Sequence, residues 1–510
     1  MAMEEDTSVL HRLSDRLPFE PDRLAVLSEM LAAVRRLEKH ALEENLRNLQ
    51  ISTIFECLNS SKMDEVMITG DILRSLLSSM DSSEVLAQYG QLLQEAIAHP
   101  TAEVKLLAIR ELLRAAHTDS LVPVLRDDGF LITTVPCVFS DNSAVTEAAK
   151  RFFVKVCDTK SGLDAFFSEP LMRCLNQFMS HSDAYRLSGY EFVADIAASL
   201  DSALTRSVEC GFLGQMLEEL KGDDVLFQFN ILSVLSKIAS TEHGFYYLKN
   251  ANLLAHAEDK LCTSHPAALD TFVLPGYVRF FGSVFYARPA EAHEACPSVL
   301  PKLFGIVAAP DSDLSLQSVS METIGHIAEP VAGKRVLDGL GTAMPELMAR
   351  LKHFARTLPL EYKVCALNAM ACAVDLQRSD QSEETLALTS RWFSAEESGS
   401  PLDVVVALCR QPFPALKMAC LQLLSVLAGQ PWGLQLIRDY PGLVDFLLDR
   451  SGEPSKLCKE AKYNVVQTIV AAHSAHEIFG FEALDKMNTF IQQGPFYVDL
   501  QAEVAFEEDE

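Results

Sequence analysis

Positive charge is scarce in this sequence. Lys and Arg number 43 against 70 Asp and Glu, which leaves a formal net charge of −27. Such a surface repels phosphate backbones, so nucleic acid is not an expected partner. It suits a basic protein partner, and it equally serves plain solubility. No apolar run reaches the roughly 18 residues that a membrane span needs. The opening MAMEEDTSVL is acidic and lacks the basic region and apolar core of a signal peptide, so a cytosolic protein with access to the nucleus is expected. The twelve cysteines include no CxxC pair. Cys157, Cys372, Cys409 and Cys420 fall inside apolar stretches, which points to buried, reduced thiols.

Motifs that carry chemistry are missing too. Nothing matches GxxxxGK[ST] or GxSxG. GFLG, from Gly211 to Gly214, reads as a corner followed by a helix and not as a dinucleotide fingerprint, which needs a preceding strand. His473 and His476 have HxxH spacing, but Glu477 points elsewhere on a helix and no further ligands complete a metal set. His326 lies in the apolar IGHIA and is read as a core residue. Asp223 and Asp224 stand where a helix begins, and capping accounts for them. The expectation is a protein with no enzymatic activity, no metal and no cofactor.

What the sequence does contain is a repeat. In DNSAVTEAAKRFFVKVC, the residues Val145, Ala148, Ala149, Phe152, Phe153 and Val156 form an apolar stripe on a helix capped by Asp141 or Ser143. Similar helix starts fall at Val66, Val104, Tyr185, Val225, Leu269, Leu314, Tyr362, Leu416 and Leu457, mostly 38 to 48 residues apart. A first glycine set, Gly129, Gly211, Gly341 and Gly442, follows its helix starts by 25 to 27 residues. It reads as a helix–helix corner where positive φ is needed. A second set, Gly162, Gly244, Gly333 and Gly433, follows by 17 to 19 residues and is placed in the turn before a short helix.

Each unit thus reads as a long helix, a short helix, a Gly corner and a medium helix. The period is that of armadillo and HEAT repeats, so the predicted fold is an all-α, armadillo/HEAT-like α-solenoid of about ten repeats. Residues 1–60 are expected to be an N-terminal helical cap, 61–490 the array, and 491–510 a C-terminal cap with an acidic, disordered tail. A 54-residue step suggests an inserted helix near 378–400. Pro275 in LPG is expected to kink or break its long helix.

Such arrays bind protein partners along exposed grooves. Nuclear import adaptors of this class carry Trp and Asn ladders on the groove helices. Here Trp392 and Trp432 are the only tryptophans, neither lies on a long helix, and Asn230, Asn368 and Asn464 lack paired tryptophans, so that role is disfavoured. Candidate partner contacts are Tyr246 and Tyr247 in GFYYL and Phe496 and Tyr497 in GPFYV. In GFYYL, Phe245 and Leu248 are expected in the core with one tyrosine at the surface. GPFYV either folds back as a cap or presents its rings to a partner.

The stretches QPWGLQLIRDYPGLVDFLLDRSGEPSKLCKEAKYNVV (430–466), PGYVRFFGSV (275–284), QPFPALKMACLQLL (411–424) and QQGPFYV (492–498) resemble the family of the 26S proteasome non-ATPase regulatory subunit 5, the proteasome base assembly chaperones. The resemblance covers essentially the whole chain and is most specific after about residue 270. It implies a chaperone for the base of the 19S regulatory particle that binds the C-terminal domain of an ATPase, 26S regulatory subunit 7. That domain is held in a module with subunit 4 and non-ATPase subunit 2, and the chaperone leaves before the 26S particle is complete. It implies a chain that is monomeric when free. The alternative is a generic armadillo adaptor in signalling or trafficking.

Overall fold

One side of the Ser143–Cys157 helix is sealed from solvent: Val145, Ala149, Phe152, Phe153 and Val156 are fully buried, while Ala148 is only half-buried. The cap is neither Asp141 nor Ser143. Asn142, between them, accepts hydrogen bonds from the backbone N–H groups of Ala144 and Val145 at 3.1 and 3.2 Å. The structure, a computed structural model, describes residues 2–17, 23–37, 46, 49–222, 224–263, 270–395, 399–450 and 452–497. Among the described residues there are 31 α-helices and no strand, as the repeat reading requires.

Two compact units divide at Ile238/Ala239. In the first, the long helices Met63–Ser78, Ala102–Ala116, Ser143–Cys157 and Asp183–Ser199 pack each against the next. The helix Arg23–Arg36 packs on Met63–Ser78 and extends that row. In the second unit, the long helices are Asp270–Ala287, Leu314–Ile327, Leu360–Val374, Pro414–Ala428 and Lys456–Ala471. A parallel row of third helices, Leu253–Thr263, Val299–Ala308, Ala343–Thr357 and Asp403–Cys409, runs beside them. Each stripe is therefore covered partly by its own repeat and partly by its neighbours.

Burial fixes the register more sharply than hydropathy does. Aligned by their sealed residues, the long helices from Ala102–Ala116 onward open their stripes at Val104, Val145, Tyr185, Phe227, Val273, Leu316, Tyr362, Leu416 and Cys458, while in Met63–Ser78 the same steps start at Glu65, one residue before the expected Val66. The expected starts Val225, Leu314 and Leu457 lie one or two residues early. The helices begin with apolar residues that point past the packed face: Leu226 is 77% and Leu457 62% exposed. Leu269 lies outside the described residues. With this register the second glycine set falls 17 residues after the opening position in every case.

The reason is a close approach. Gly162, Gly333 and Gly433 are not in a turn before the short helix but inside its first turn. A Cβ there would stand 1.9, 1.8 and 2.1 Å from the carbonyl oxygens of Val156, Ile327 and Leu427. Each of those oxygens belongs to the last large residue of the preceding long helix. The first glycine set behaves as expected, with φ of +80°, +85°, +74° and +69° at Gly129, Gly211, Gly341 and Gly442.

Two other expectations are corrected. The Asp270–Ala287 helix runs unbroken through Pro275. The proline is its sixth residue, so the missing N–H removes a single bond near the helix start. The helix expected as an insertion, Glu383–Phe393, takes the place of its repeat's own second helix. It packs against Pro431–Asp439, the second helix of the next repeat, and Trp392 donates to Asp338 of the previous one at 3.1 Å. The long step comes from the segments on either side of this helix.

Cations close many helix ends. Lys334, fully buried, donates to the carbonyls of Ala328 and Glu329 just past the Leu314–Ile327 helix. Lys352 donates to the Phe393 carbonyl at 2.7 Å, and Lys462 to that of Asp449 at 3.1 Å. Arg114 reaches the carbonyls of Leu77 and Met80 at 2.8 and 2.6 Å. Unsatisfied C-terminal carbonyls carry partial negative charge, so a buried cation there meets both needs at once.

Two outcomes are expected. Gly433→Ala should destabilise the chain by about 1–3 kcal/mol in urea or thermal unfolding, since backbone must shift to admit the methyl. Gly305→Ala, in the helix Val299–Ala308 with nothing within 4 Å of the new Cβ, should stabilise by roughly 0.5–1 kcal/mol. Lys334 supplies the second. Burial lowers its pKa from 10.5 to about 8, against the opposing pull of Asp375, Glu329, Asp380 and Cys372. Between those values the unfolded chain holds the proton and the folded chain releases it, so this group's contribution to stability rises with pH across that window. The stability of the parent relative to Lys334→Met should climb by up to about 3 kcal/mol from pH 8 to 10.5, read by urea melts at fixed pH. A flat difference would contradict the burial argument.

Candidate partner-binding face

The long helices present an outward row. Six residues after each opening position stand Arg110, Arg151, Glu191 and Ser233 in the first unit, and Arg279, Glu322, Asn368, Gln422 and Asn464 in the second. All but the half-buried Glu191 are exposed. Because the helices stack side by side, the row is a continuous strip within each unit, and its chemistry changes along the chain.

In the first unit the strip is charged. A groove of about 590 Å³ is lined by Lys150, Arg151, Lys155, Asp158, Asp195 and Lys237, among others. Lys150 sits 3.3 Å from Glu191 and 3.9 Å from Asp195, and Asp195 also pairs with Lys237. The charges are therefore largely matched inside the strip.

In the second unit a groove of about 430 Å³ crosses three successive long helices. Its walls include Val364, Ala415, Met418 and Leu457, the amides Asn368, Gln422 and Asn464, and a single charged side chain, Glu460. Among the described residues none of the three side-chain amides has a hydrogen-bond partner. Leu360, Phe413 and Leu457, at the N-terminal ends of these helices, are 41, 48 and 62% exposed. Exposed apolar groups on a highly charged protein mark a contact surface.

The candidates read from sequence lie on other elements. Tyr246 is exposed on the helix Glu242–Asn250, edge-on to the buried Phe245, with the Arg288 guanidinium 5.9 Å from its ring. Tyr247 is half-buried, and burial raises its phenol pKa. Leu248 is sealed, like Phe245. Phe496 and Tyr497 are about half exposed beyond the last helix. Arg450 donates to the carbonyls of Phe490 and Gly494 at 2.8 and 3.1 Å, and its guanidinium lies 3.8 Å over Phe490 and 5.6 Å from Tyr497. The backbone is thus held back on the array while the rings face outward. Val498 and the acidic tail lie outside the described residues. The two tyrosines and the two C-terminal rings belong to the first and last repeats of the unit, so they form no common site.

The tryptophans are structural. The indole N–H of Trp432 donates to Gln430 and Thr389, and the buried Gln430 in turn donates to the Val374 carbonyl at 2.7 Å. Asn230, three residues after its opening position, is not in the outward row. His326 is not in the core: it lies flat on Tyr286, ring centroids 4.2 Å apart, with Glu329 3.3 Å from Nδ1. His473 and His476 are exposed, and among the described residues no group of His, Cys, Asp or Glu could hold a metal. All twelve cysteines are free, though Cys372 is only half-buried. Burial pushes the Cys409 thiol up to about 12 and those of Cys157 and Cys420 higher still, so they are poor nucleophiles. No described helix is long and apolar enough to cross a membrane.

The chain matches the family described as "Proteasome non-ATPase 26S subunit" over residues 4–510. It is 29% identical to the "26S proteasome non-ATPase regulatory subunit 5" of Homo sapiens over 494 residues, 96% of this chain and 97% of that protein. It is 22% identical to the Drosophila melanogaster protein of the same name, over 96% of each. Among solved structures it is similar to a Kap121p mutant with a TM-score of 0.51 and 13% identity, over 95% of this chain and 55% of that one, a likeness of fold alone.

Replacing Arg450 by Ala should release the segment after Gln493. Chymotrypsin cleavage after Phe496 and Tyr497 in the folded full-length chain should then speed up several-fold, followed by mass spectrometry, with the global melting temperature lowered only slightly. Unchanged cleavage would show that the segment is held by something else.

Proposed function

Since the chain belongs to the proteasome non-ATPase 26S subunit family, we propose that it is a non-enzymatic assembly chaperone for the base of the 19S regulatory particle. It binds the C-terminal domain of 26S regulatory subunit 7, in a module with subunit 4 and non-ATPase subunit 2, and dissociates before the 26S proteasome is complete. It works in the cytoplasm, with access to the nucleus. The observation that carries this reading is the family match along nearly the whole chain, read together with the stacked long helices and their exposed outward row. The exposed faces cup the ATPase domain and cover surfaces that dock on the 20S core. Release follows by competition, because one surface of the ATPase cannot serve two partners. Tyr246, Tyr247, Phe496 and Tyr497 are further contacts on this reading. The net charge of −27 draws a basic partner from a distance.

Purification of the tagged chain should yield base ATPases without stoichiometric 20S subunits. Association with the isolated C-terminal domain of subunit 7 should slow several-fold when salt rises from about 50 to about 300 mM, since screening shortens the reach of the field. A stoichiometric 20S signal, or a set of unrelated partners, would count against the chaperone reading. Salt-insensitive association would remove its electrostatic part.

A further inference from the structure

The connection after the Leu360–Val374 helix is longer than its counterparts. Between the long helix and the second helix stand two residues in the repeats that open at Val145, Phe227 and Leu416, three in the repeat that opens at Leu316, and eight after Val374. The extra residues run across the ends of the long helices that follow. The Arg378 guanidinium donates to the carbonyl of Ala471, the last residue of the Lys456–Ala471 helix, at 2.6 Å. The Gln381 amide donates to the carbonyl of Gly429, which caps the Pro414–Ala428 helix, at 2.8 Å, and to that of Leu376 at 3.4 Å. One short segment thus ties together the C-terminal ends of three successive long helices.

Both roots of the segment are fixed. At one end Leu376 is buried. At the other, Ser382 and Thr385 form a capping box on the Glu383–Phe393 helix, and the Thr385 hydroxyl donates to the Asp380 carbonyl at 2.8 Å. Between them the backbone is extended at Asp375 and Gln377, with ψ of 133° and 149°. Reach leaves little slack. Packed helices lie about 8–10 Å apart, so two spacings come to about 16–20 Å. The four residues from Val374 to Arg378 span at most about 14 Å, and the arginine side chain supplies the remainder. The bond to Ala471 therefore crosses two repeats, whereas stacked repeats ordinarily touch only their neighbours and bend at one interface at a time. A cation at the C-terminal end of a helix also meets the partial negative charge there.

We propose that residues 375–382 are a strap that holds the long helices Leu360–Val374, Pro414–Ala428 and Lys456–Ala471 at a fixed separation and makes them one stiff body. The same three helices wall the groove of about 430 Å³, so the strap sets the width of that groove. Repeats ahead of the strap keep the freedom to flex that neighbour-only contacts allow. The inference concerns the stiffness of the array; it goes beyond the chaperone reading and does not rest on it.

The test measures distance distributions in the full-length chain by double electron–electron resonance, with nitroxides carried on p-acetylphenylalanine so that the native cysteines stay untouched. One pair of labels sits at positions 368 and 464, on the first and third strapped helices. The other sits at 279 and 368, likewise two long helices apart but ahead of the strap. In the parent the strapped pair should give a distribution about twofold narrower than the other. The double variant Arg378→Ala, Gln381→Ala should widen the strapped pair to match and leave the other unchanged. Amides of residues 466–471 should then exchange with deuterium several-fold faster. Arg378 is exposed and Gln381 half-buried, so the variant should fold. A second variant, with Gly-Gly inserted between Gln377 and Arg378, keeps both donors and adds only slack; it too should widen the strapped pair. Equal widths in the parent, a narrow distribution that survives in the double variant, or one that survives the insertion overturns the proposal.

Discussion

Everything in the structure depends on the inability of a single long helix to bury its own stripe. Phe152, Phe153 and Val156 fill one side of one helix, and no loop could cover that area. The chain answers with short partners folded back at close range, and the range is set by main chain touching main chain. At Gly162, Gly333 and Gly433 the second helix comes so near the carbonyl of the long helix that no side chain fits between. This contact aims the short helix back along the repeat, and the corner glycines with positive φ then turn the third helix into line. In the repeats that open at Leu316 and Leu416, two glycines separated by 8 or 9 residues, Gly333 with Gly341 and Gly433 with Gly442, thus set the geometry of a whole repeat.

The charge distribution follows from the same architecture. Each helix end carries carbonyls that have no partner within the helix. Lys334, Lys352, Lys462 and Arg114 meet that need from within or from a neighbouring repeat. Some of an already small stock of cations is withdrawn from the surface in this way, and the buried carboxylates of Glu65, Glu111 and Glu453 offset them, so the exterior keeps the acidic balance of the composition. The groove at Asn368, Gln422 and Asn464 carries a single charge, the carboxylate of Glu460, beside three side-chain amides.

How much of this could be read from sequence varied with the range of the interaction. The helices, the repeat and the sign of φ at Gly129, Gly211, Gly341 and Gly442 were legible because they depend on local pattern and on a residue type with one special property. The register was legible only to within two residues. Hydropathy cannot distinguish Leu457, which points past the packed face, from Cys458, which is sealed. The Glu383–Phe393 helix reads as an insertion in sequence because a long step can lie in helices or in connections, and only its contact with Pro431–Asp439 decides. The apolar neighbours of His326 point to a core position, but on a helix the next residue lies about 100° round the axis. The outward row was hidden for the same reason as the register: Asn368, Gln422 and Asn464 line up only when the opening position is Cys458.

The buried ammonium groups have a consequence for covalent chemistry. Lysine acylation, whether by acetyl transfer or by attachment of another protein's C-terminus, needs an accessible and neutral amine. Burial lowers the Lys334 pKa to about 8, yet the amine is sealed behind the helix end it supports. Its intrinsic nucleophilicity is unused as long as the repeat is closed. Modification found at that position would therefore record that the repeat had opened, since the amine that completes the closed array is reached only in an open one.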